Sequence, residues 1–103
     1  MIVLTRFRID ETATESFRQR AEAAIDLFRT KPGLLSLDFG RNLDEPELWT
    51  LTTRWADVGS YRRALSGMES KMVLVPMLSE AIDEPTAYDD AELVGENVPR
   101  GWH

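Results

Sequence analysis

Residues 48–65, LWTLTTRWADVGSYRRAL, decide the reading of this chain. Side chains of a strand alternate, so Trp49, Leu51, Thr53 and Trp55 share one face, while Leu48, Thr50, Thr52 and Arg54 share the other. Asp57 follows as a helix N-cap, its carboxylate positioned for the first free amides of a helix that carries Tyr61 one turn in. The stretch holds two of the three tryptophans and one of the two tyrosines, together with hydroxyl and guanidinium groups. A strand-to-helix corner with Trp55 at its apex is therefore the place to look for a site.

Working toward the N-terminus, Ile2 to Ile9 reads as a first strand, with Val3, Thr5, Phe7 and Ile9 on one face and Ile2, Leu4, Arg6 and Arg8 on the other. Thr12-Ala13-Thr14-Glu15 matches a capping box, which predicts a helix from there to about Thr30. Phe17, Ala21, Ala24, Ile25 and Phe28 make its apolar stripe. Lys31-Pro32-Gly33 ends it, through a missing amide and a free torsion. Leu34 to Leu43 is a second strand, with Leu35, Leu37 and Phe39 facing one way and Leu34, Ser36, Asp38 and Gly40 the other. The turn signal Asp44-Glu45-Pro46-Glu47 joins it to the Trp49 strand as an antiparallel hairpin.

Toward the C-terminus, Val58, Tyr61, Leu65, Met68, Met72 and Val75 fit one helical stripe, with breaks or kinks expected at Gly67 and Pro76. Ser66-Gly67-Met68-Glu69 offers a second capping box. Thr86 to Val94 reads as a fourth strand, and 95–103 as a C-terminal tail after a domain spanning 1–94.

The order strand, helix, strand, strand, helix, strand (βαββαβ) predicts an α+β, ferredoxin-like fold, a four-stranded antiparallel sheet with two helices on one face. The helices cover the face of Val3, Phe7, Leu37, Phe39, Trp49, Leu51 and Trp55. The other face mixes Ile2, Leu4, Leu34 and Leu48 with Arg6, Arg8, Asp38, Thr50, Thr52 and Arg54, a composition that suits a sheet-on-sheet contact. Arg6, Arg8 and Arg54 are expected there in ion pairs with Asp38.

Composition removes several chemistries. With 103 residues and no long linker the chain forms one domain. It has no cysteine, which excludes disulfides, thiolate nucleophiles and cysteine metal sites, and its single histidine is the last residue, His103. No metal site is expected. The net charge of −6 falls mostly on the last third, and no basic stripe is present to bind nucleic acid. The apolar run Met1 to Leu4 is interrupted by Arg6 and Arg8 before it reaches the length of a leader or membrane span, so a cytoplasmic protein with no membrane partner is expected.

The strand ending in Trp55, followed by Ala56-Asp57 and a helix opening near Tyr61, with Lys31-Pro32-Gly33 closing the first helix and an acidic hairpin turn, resembles the antibiotic biosynthesis monooxygenase (ABM) domain over roughly Met1 to Asp89. The resemblance implies a homodimer of the dimeric α+β barrel type and a pocket between sheet and helices. It also implies either oxygenation of polycyclic phenols without a cofactor or degradation of heme. The heme-degrading branch uses a first-strand asparagine, the strand-end tryptophan and a ligand histidine about ten residues later. Here Trp55 matches, but Thr5 and Leu65 stand at the other two positions, so no cofactor is expected. From the residues themselves, Tyr61 and Trp55 are the candidates for catalysis, and Thr5, Thr53, Trp49, Met68 and Met72 the candidates for binding a small aromatic substrate. The rival function is a non-catalytic dimeric ligand-binding or interaction module.

Overall fold

The computed structural model describes residues 1–94; the tail expected over 95–103 lies outside the described residues. The strands are β1 (Ile2–Arg8), β2 (Leu34–Arg41), β3 (Leu48–Trp55) and β4 (Ala87–Tyr88). The helices are α1 (Thr14–Phe28), α2 (Val58–Ala64), α3 (Met68–Leu78) and the short α4 (Ala91–Val94). The sheet order is β2-β3-β1-β4 with every neighbouring pair antiparallel. Each βαβ crossover therefore skips a strand, which is the ferredoxin-like arrangement the element order predicts.

The core forms on the predicted face. Val3, Thr5 and Phe7 on β1 and Trp49, Leu51, Thr53 and Trp55 on β3 are all buried, in a register that sets Phe7 opposite Trp49 and Val3 opposite Thr53. Phe17, Ala21, Ala24 and Phe28 of α1 close over them. Fully buried phenylalanines such as Phe7, Phe17 and Phe28 each contribute about 2–3 kcal/mol through apolar area removed from water.

Local departures from expectation have identifiable causes. Asp10, not Thr12, caps the first helical turn: its Oδ1 accepts from Thr12 N at 2.9 Å and Thr12 Oγ1 at 3.0 Å. That occupies the threonine, and a 3-10 turn over Glu11–Ala13 precedes α1. The second predicted capping box is likewise not made, because Ser66 Oγ donates backward to the Arg63 carbonyl and Gly67, at φ 93°, is the N-cap of α3 without a side-chain bond. The break at Gly67 is present. At Pro76 the helix runs on to Leu78, because the carbonyl left without an intrahelical N–H, that of Met72, belongs to an exposed residue on α3 where water can serve it.

In β2 a bulge between Leu34 and Ser36 changes the parity. Leu34 pairs with Trp55 and packs on the core, while Leu35, expected inside, is 63% exposed. The fourth strand is shorter than the expected Thr86 to Val94, for pairing stops at Tyr88 and the chain turns into α4. The arginines find acids other than Asp38. Arg6 forms a two-point pair with Glu84 at 2.6 and 2.7 Å, and Arg8 meets Glu45 at 3.3 Å. Among the described residues Arg54 and Asp38 form no ion pair.

Candidate functional site

The corner around Trp55 is built from three elements. β3 ends on the indole; Asp57 then caps α2 by accepting from Ser60 N at 2.7 Å, which fixes where Tyr61 emerges. Tyr61 sits against the indole with ring centroids 5.7 Å apart, and Phe28 of α1 meets it edge-on, also at 5.7 Å. Trp55 is 1% exposed, and its Nε1–H donates to Thr53 Oγ1 at 2.8 Å. A buried indole N–H needs such a partner, and Thr53 is the strand residue two positions back on the same face.

Thr5 completes the polar part of this region. It lies on β1 opposite Leu51, which makes it a diagonal neighbour of Thr53 on the buried face. Two hydroxyl groups, one indole and one phenol are thus brought toward one end of the sheet's helical side. Tyr61 is half-buried, and that burial raises its phenol above the ordinary tyrosine range. Near neutral pH it is a hydrogen-bond donor and not a phenolate.

Other sequence-predicted site residues lie elsewhere. Trp49 shares the face of Trp55 but stands six residues away along β3, about 20 Å at the rise of an extended strand. It stacks on Phe39 at 5.4 Å and meets Phe17 edge-on at 5.5 Å, while Arg41 and Arg18 place guanidinium carbons 4.6 and 5.1 Å from its ring centre. Its own Nε1–H has no partner among the described residues. Met68 and Met72 are 75% and 69% exposed on the outside of α3, whose buried residues are Ser70, Leu74 and Met77. Phe28, which covers Trp55 from α1, was legible only as a member of a helical core stripe. The cation pair around Trp49 had no signal in spacing at all.

The space between Trp55 and α3 is packed, not open. Tyr61, Ala64, Leu65, Leu74 and Met77 join Trp55 in one continuous apolar cluster. Among the described residues, surface cavities lie away from it, including one of about 370 Å³ between α1 and α3, one of about 250 Å³ at the β2 edge, and one of about 510 Å³ on the sheet face turned from the helices. None of these three is lined by Trp55, Tyr61, Thr5 or Thr53.

Among the described residues no group of three or more His, Cys, Asp and Glu side chains is placed to hold a metal ion. The heme constellation does not fit either. Leu65, at the ligand position, is the C-cap of α2 and packs on the core, with no atom able to bind iron. Thr5, at the asparagine position, is buried without a carboxamide to offer.

A split βαβ sheet covered by helices on one side, with a tryptophan at the strand-to-helix corner, defines a ferredoxin-like α+β domain. The chain belongs to the antibiotic biosynthesis monooxygenase family, whose model matches residues 1–71. Solved structures with the same fold include a conserved protein from Methanosarcina mazei Go1, at TM-score 0.69 and 22% identity over 84% of each chain. SnoaB, a cofactor-independent oxygenase from Streptomyces nogalater, superposes at TM-score 0.69 with 20% identity over 85% of this chain and 92% of that one. Rv0793 from Mycobacterium tuberculosis does so at 0.66 with 20% identity, over 84% of this chain and 86% of that one. At these identities the likeness establishes the fold. No curated protein matches the sequence. Among the described residues no helix is long and apolar enough to cross a membrane.

Proposed function

We propose that this protein is a cytoplasmic, homodimeric monooxygenase that needs no cofactor and acts on an aromatic or polycyclic phenol at the Trp55 corner. The observation that carries the reading is the pairing of Trp55 with Tyr61, a flat apolar ring beside a half-buried phenol whose titration burial pushes further upward. Family membership and the description of SnoaB as a cofactor-independent oxygenase support the reaction class.

In such a reaction the substrate supplies the electrons. An anthrone, for example, loses a proton from its methylene carbon, the carbanion reduces oxygen, and a carbon–oxygen bond forms. One oxygen atom becomes the new carbonyl and the other leaves as water, so anthrone plus O₂ gives anthraquinone plus H₂O. The chain's part is to hold the ring on Trp55, exclude water, and aim donors at the negative charge as it develops. Tyr61 is the donor we assign, with the hydroxyls of Thr5 and Thr53 on the sheet side of the ring. Trp49, Met68 and Met72 take no part at this corner, given where they lie.

The closeness of the packing around Trp55 favours a second reading, a non-catalytic dimeric module that binds an apolar ligand or another protein. Oxygen uptake by the metal-free, flavin-free protein on adding anthrone separates the two. Tyr61→Phe should lower turnover about 30-fold, roughly 2 kcal/mol of barrier, while leaving ligand quenching of tryptophan fluorescence in place. Quenching without oxygen uptake assigns the binding module. Neither uptake nor quenching overturns both.

The dimer part of the proposal rests on the sheet face turned from the helices, where Leu4, Leu34, Thr50 and Arg54 were expected to meet a second copy. In the structure Leu4, Thr50 and Arg54 remain on that face, and the bulge carries Leu34 to the core instead.

A further inference from the structure

The corner that the proposed reaction uses is filled by the chain itself: Trp55 is 1% exposed, and Tyr61, Ala64, Leu65, Leu74 and Met77 close against it. A flat phenol reaches that indole only if one wall moves. The walls differ in what their movement would expose. α1 buries Phe17, Ala21, Ala24 and Phe28, and α3 buries Ser70, Leu74 and Met77. α2 buries only Ser60 and Ala64, two small side chains, with Tyr61 and Leu65 partly covered. Hydrophobic stabilisation scales with the apolar area removed from water, so α2 is the wall held by least of it.

The two ends of α2 are fastened differently. At its start Ala56 N donates to the Gly33 carbonyl at 2.8 Å, Asp57 caps the helix through Ser60 N, and Gly33 lacks a Cβ where one would run into Ser60. This end is pinned to the turn after α1. At the far end, the carbonyl of Ala64 receives no backbone N–H among the described residues. Its partner is a side chain of the next helix: Ser70, 0% exposed, donates its Oγ–H to that carbonyl at 2.8 Å. Between Ala64 and Ser70 lies Gly67, at φ 93°, with no atom within 4 Å of the place a Cβ would take. Glycine there answers to the torsion and not to crowding, and its neighbours Ser66 and Met68 are exposed. A single buried side-chain bond therefore bridges a joint at which the backbone can turn.

We propose that α2 is the gate of the Trp55 corner, with its pivot at the Gly33–Ala56 end, its hinge at Gly67 and its latch in the bond from Ser70 to Ala64. When the latch releases, Ala64 and Leu65 swing outward, Tyr61 lifts from the indole, and the ring is open to a flat ligand. When it closes, water is excluded and the Tyr61 hydroxyl returns to the ligand. Release exchanges one protein hydrogen bond for bonds to water, which keeps the open state within reach of local fluctuation. This rests on the Trp55 corner being the binding site and adds the route by which a ligand enters it. Ser70 is then a positioning residue, acting on Tyr61 through α2.

The chain has no cysteine, so a single introduced thiol reports its own exposure. Ala64→Cys places one under the gate, and Ala24→Cys, an equally small change at a buried position of α1, serves as the reference for global unfolding. With excess thiol reagent under native conditions, position 64 should react at least about 100-fold faster than position 24, because it needs only local opening. Ser70→Ala should speed the reaction at 64 about tenfold further and change that at 24 far less. Anthrone under nitrogen, at a concentration that saturates its quenching of tryptophan fluorescence, should slow the reaction at 64, as a ligand held beneath a closed gate does. Should Ala64→Cys fail to fold, Leu65→Cys on the partly buried next residue repeats the comparison. Equal rates at 64 and 24 overturn the gate, and so does a Ser70→Ala that accelerates both alike, which marks the bond as ordinary core. Quenching by anthrone with no change in the rate at 64 overturns α2 as the entry route. Early reaction at 64 with neither quenching nor oxygen uptake upholds the moving wall and overturns the binding site behind it.

Discussion

The indole Nε1–H of Trp55 donates to the hydroxyl of Thr53 two residues earlier on β3, and both side chains are buried. Neighbours of the same face along one strand thus settle each other's polar groups. The largest side chain at the corner is held by an intrastrand bond and does not depend on α1 or α2 for its N–H.

Thr53→Val keeps the shape of the threonine and removes the acceptor. The N–H of Trp55 is then buried without a partner, which should lower unfolding free energy by about 1–3 kcal/mol in urea titrations. Combined with Trp55→Phe, which deletes the donor, the second loss should be smaller than the first, and the coupling measures the bond. A Thr53→Val protein as stable as wild type would mean that water reaches the indole and that the corner is open to solvent.

Gly33 closes the loop after α1 with φ 91°, and its carbonyl accepts from Ala56 N at 2.8 Å. A Cβ at this position would lie 2.4 Å from Ser60 Oγ and 2.5 Å from Ser60 Cβ, inside any allowed contact. Gly33→Ala therefore meets both an unfavourable torsion and a clash with α2, and should cost about 2 kcal/mol or more in unfolding free energy. Ser60→Gly in the same chain should recover the clash component and leave the torsional one. If Gly33→Ala proves neutral, α2 does not rest on this turn as described.

Much of this architecture was legible because it follows from period alone. Alternation placed Val3, Phe7, Trp49, Leu51 and Trp55 on one face, helical spacing found Phe17, Ala21, Ala24 and Phe28, and the acceptor chemistry of Asp57 marked the start of α2. The failures occur where one residue changes the phase. Running a single stripe from Val58 to Val75 ignored that Gly67 at positive φ resets the helix, so Met68 and Met72 came out on the wrong side and Ser70, Leu74 and Met77 went unnoticed. The bulge at Leu34 and Leu35 did the same to β2. Shared parity was also read as proximity, which put Trp49 in a site that lies about 20 Å from it along the strand. Partners far apart in sequence, such as Arg6 and Glu84, have no local signal.

The acid limb of stability should depend on Asp57. Its carboxyl is held below the ordinary aspartate range, first by the hydrogen bond from Ser60 N and then by the Ser60 side chain, with Arg63 adding a smaller share. Asp10 is lowered in the same direction by Thr12, and Glu84 by Arg6. A carboxyl lowered in the folded state binds fewer protons there than in the unfolded chain. The stability it contributes is complete above the unfolded value of about 3.9 and is lost as pH falls from there through the folded value. Asp57→Asn can still accept from Ser60 N but does not titrate. Its thermal midpoint should lie near that of wild type or modestly below it at pH 6, and should fall less steeply than wild type between about pH 4.5 and 2.5. Asp10 and Glu84 still titrate in this variant, so part of the slope should remain. Parallel acid limbs for the two proteins would show that the N-cap of α2 is equally well made in its neutral form, and that Asp57 positions Tyr61 by geometry without a charge.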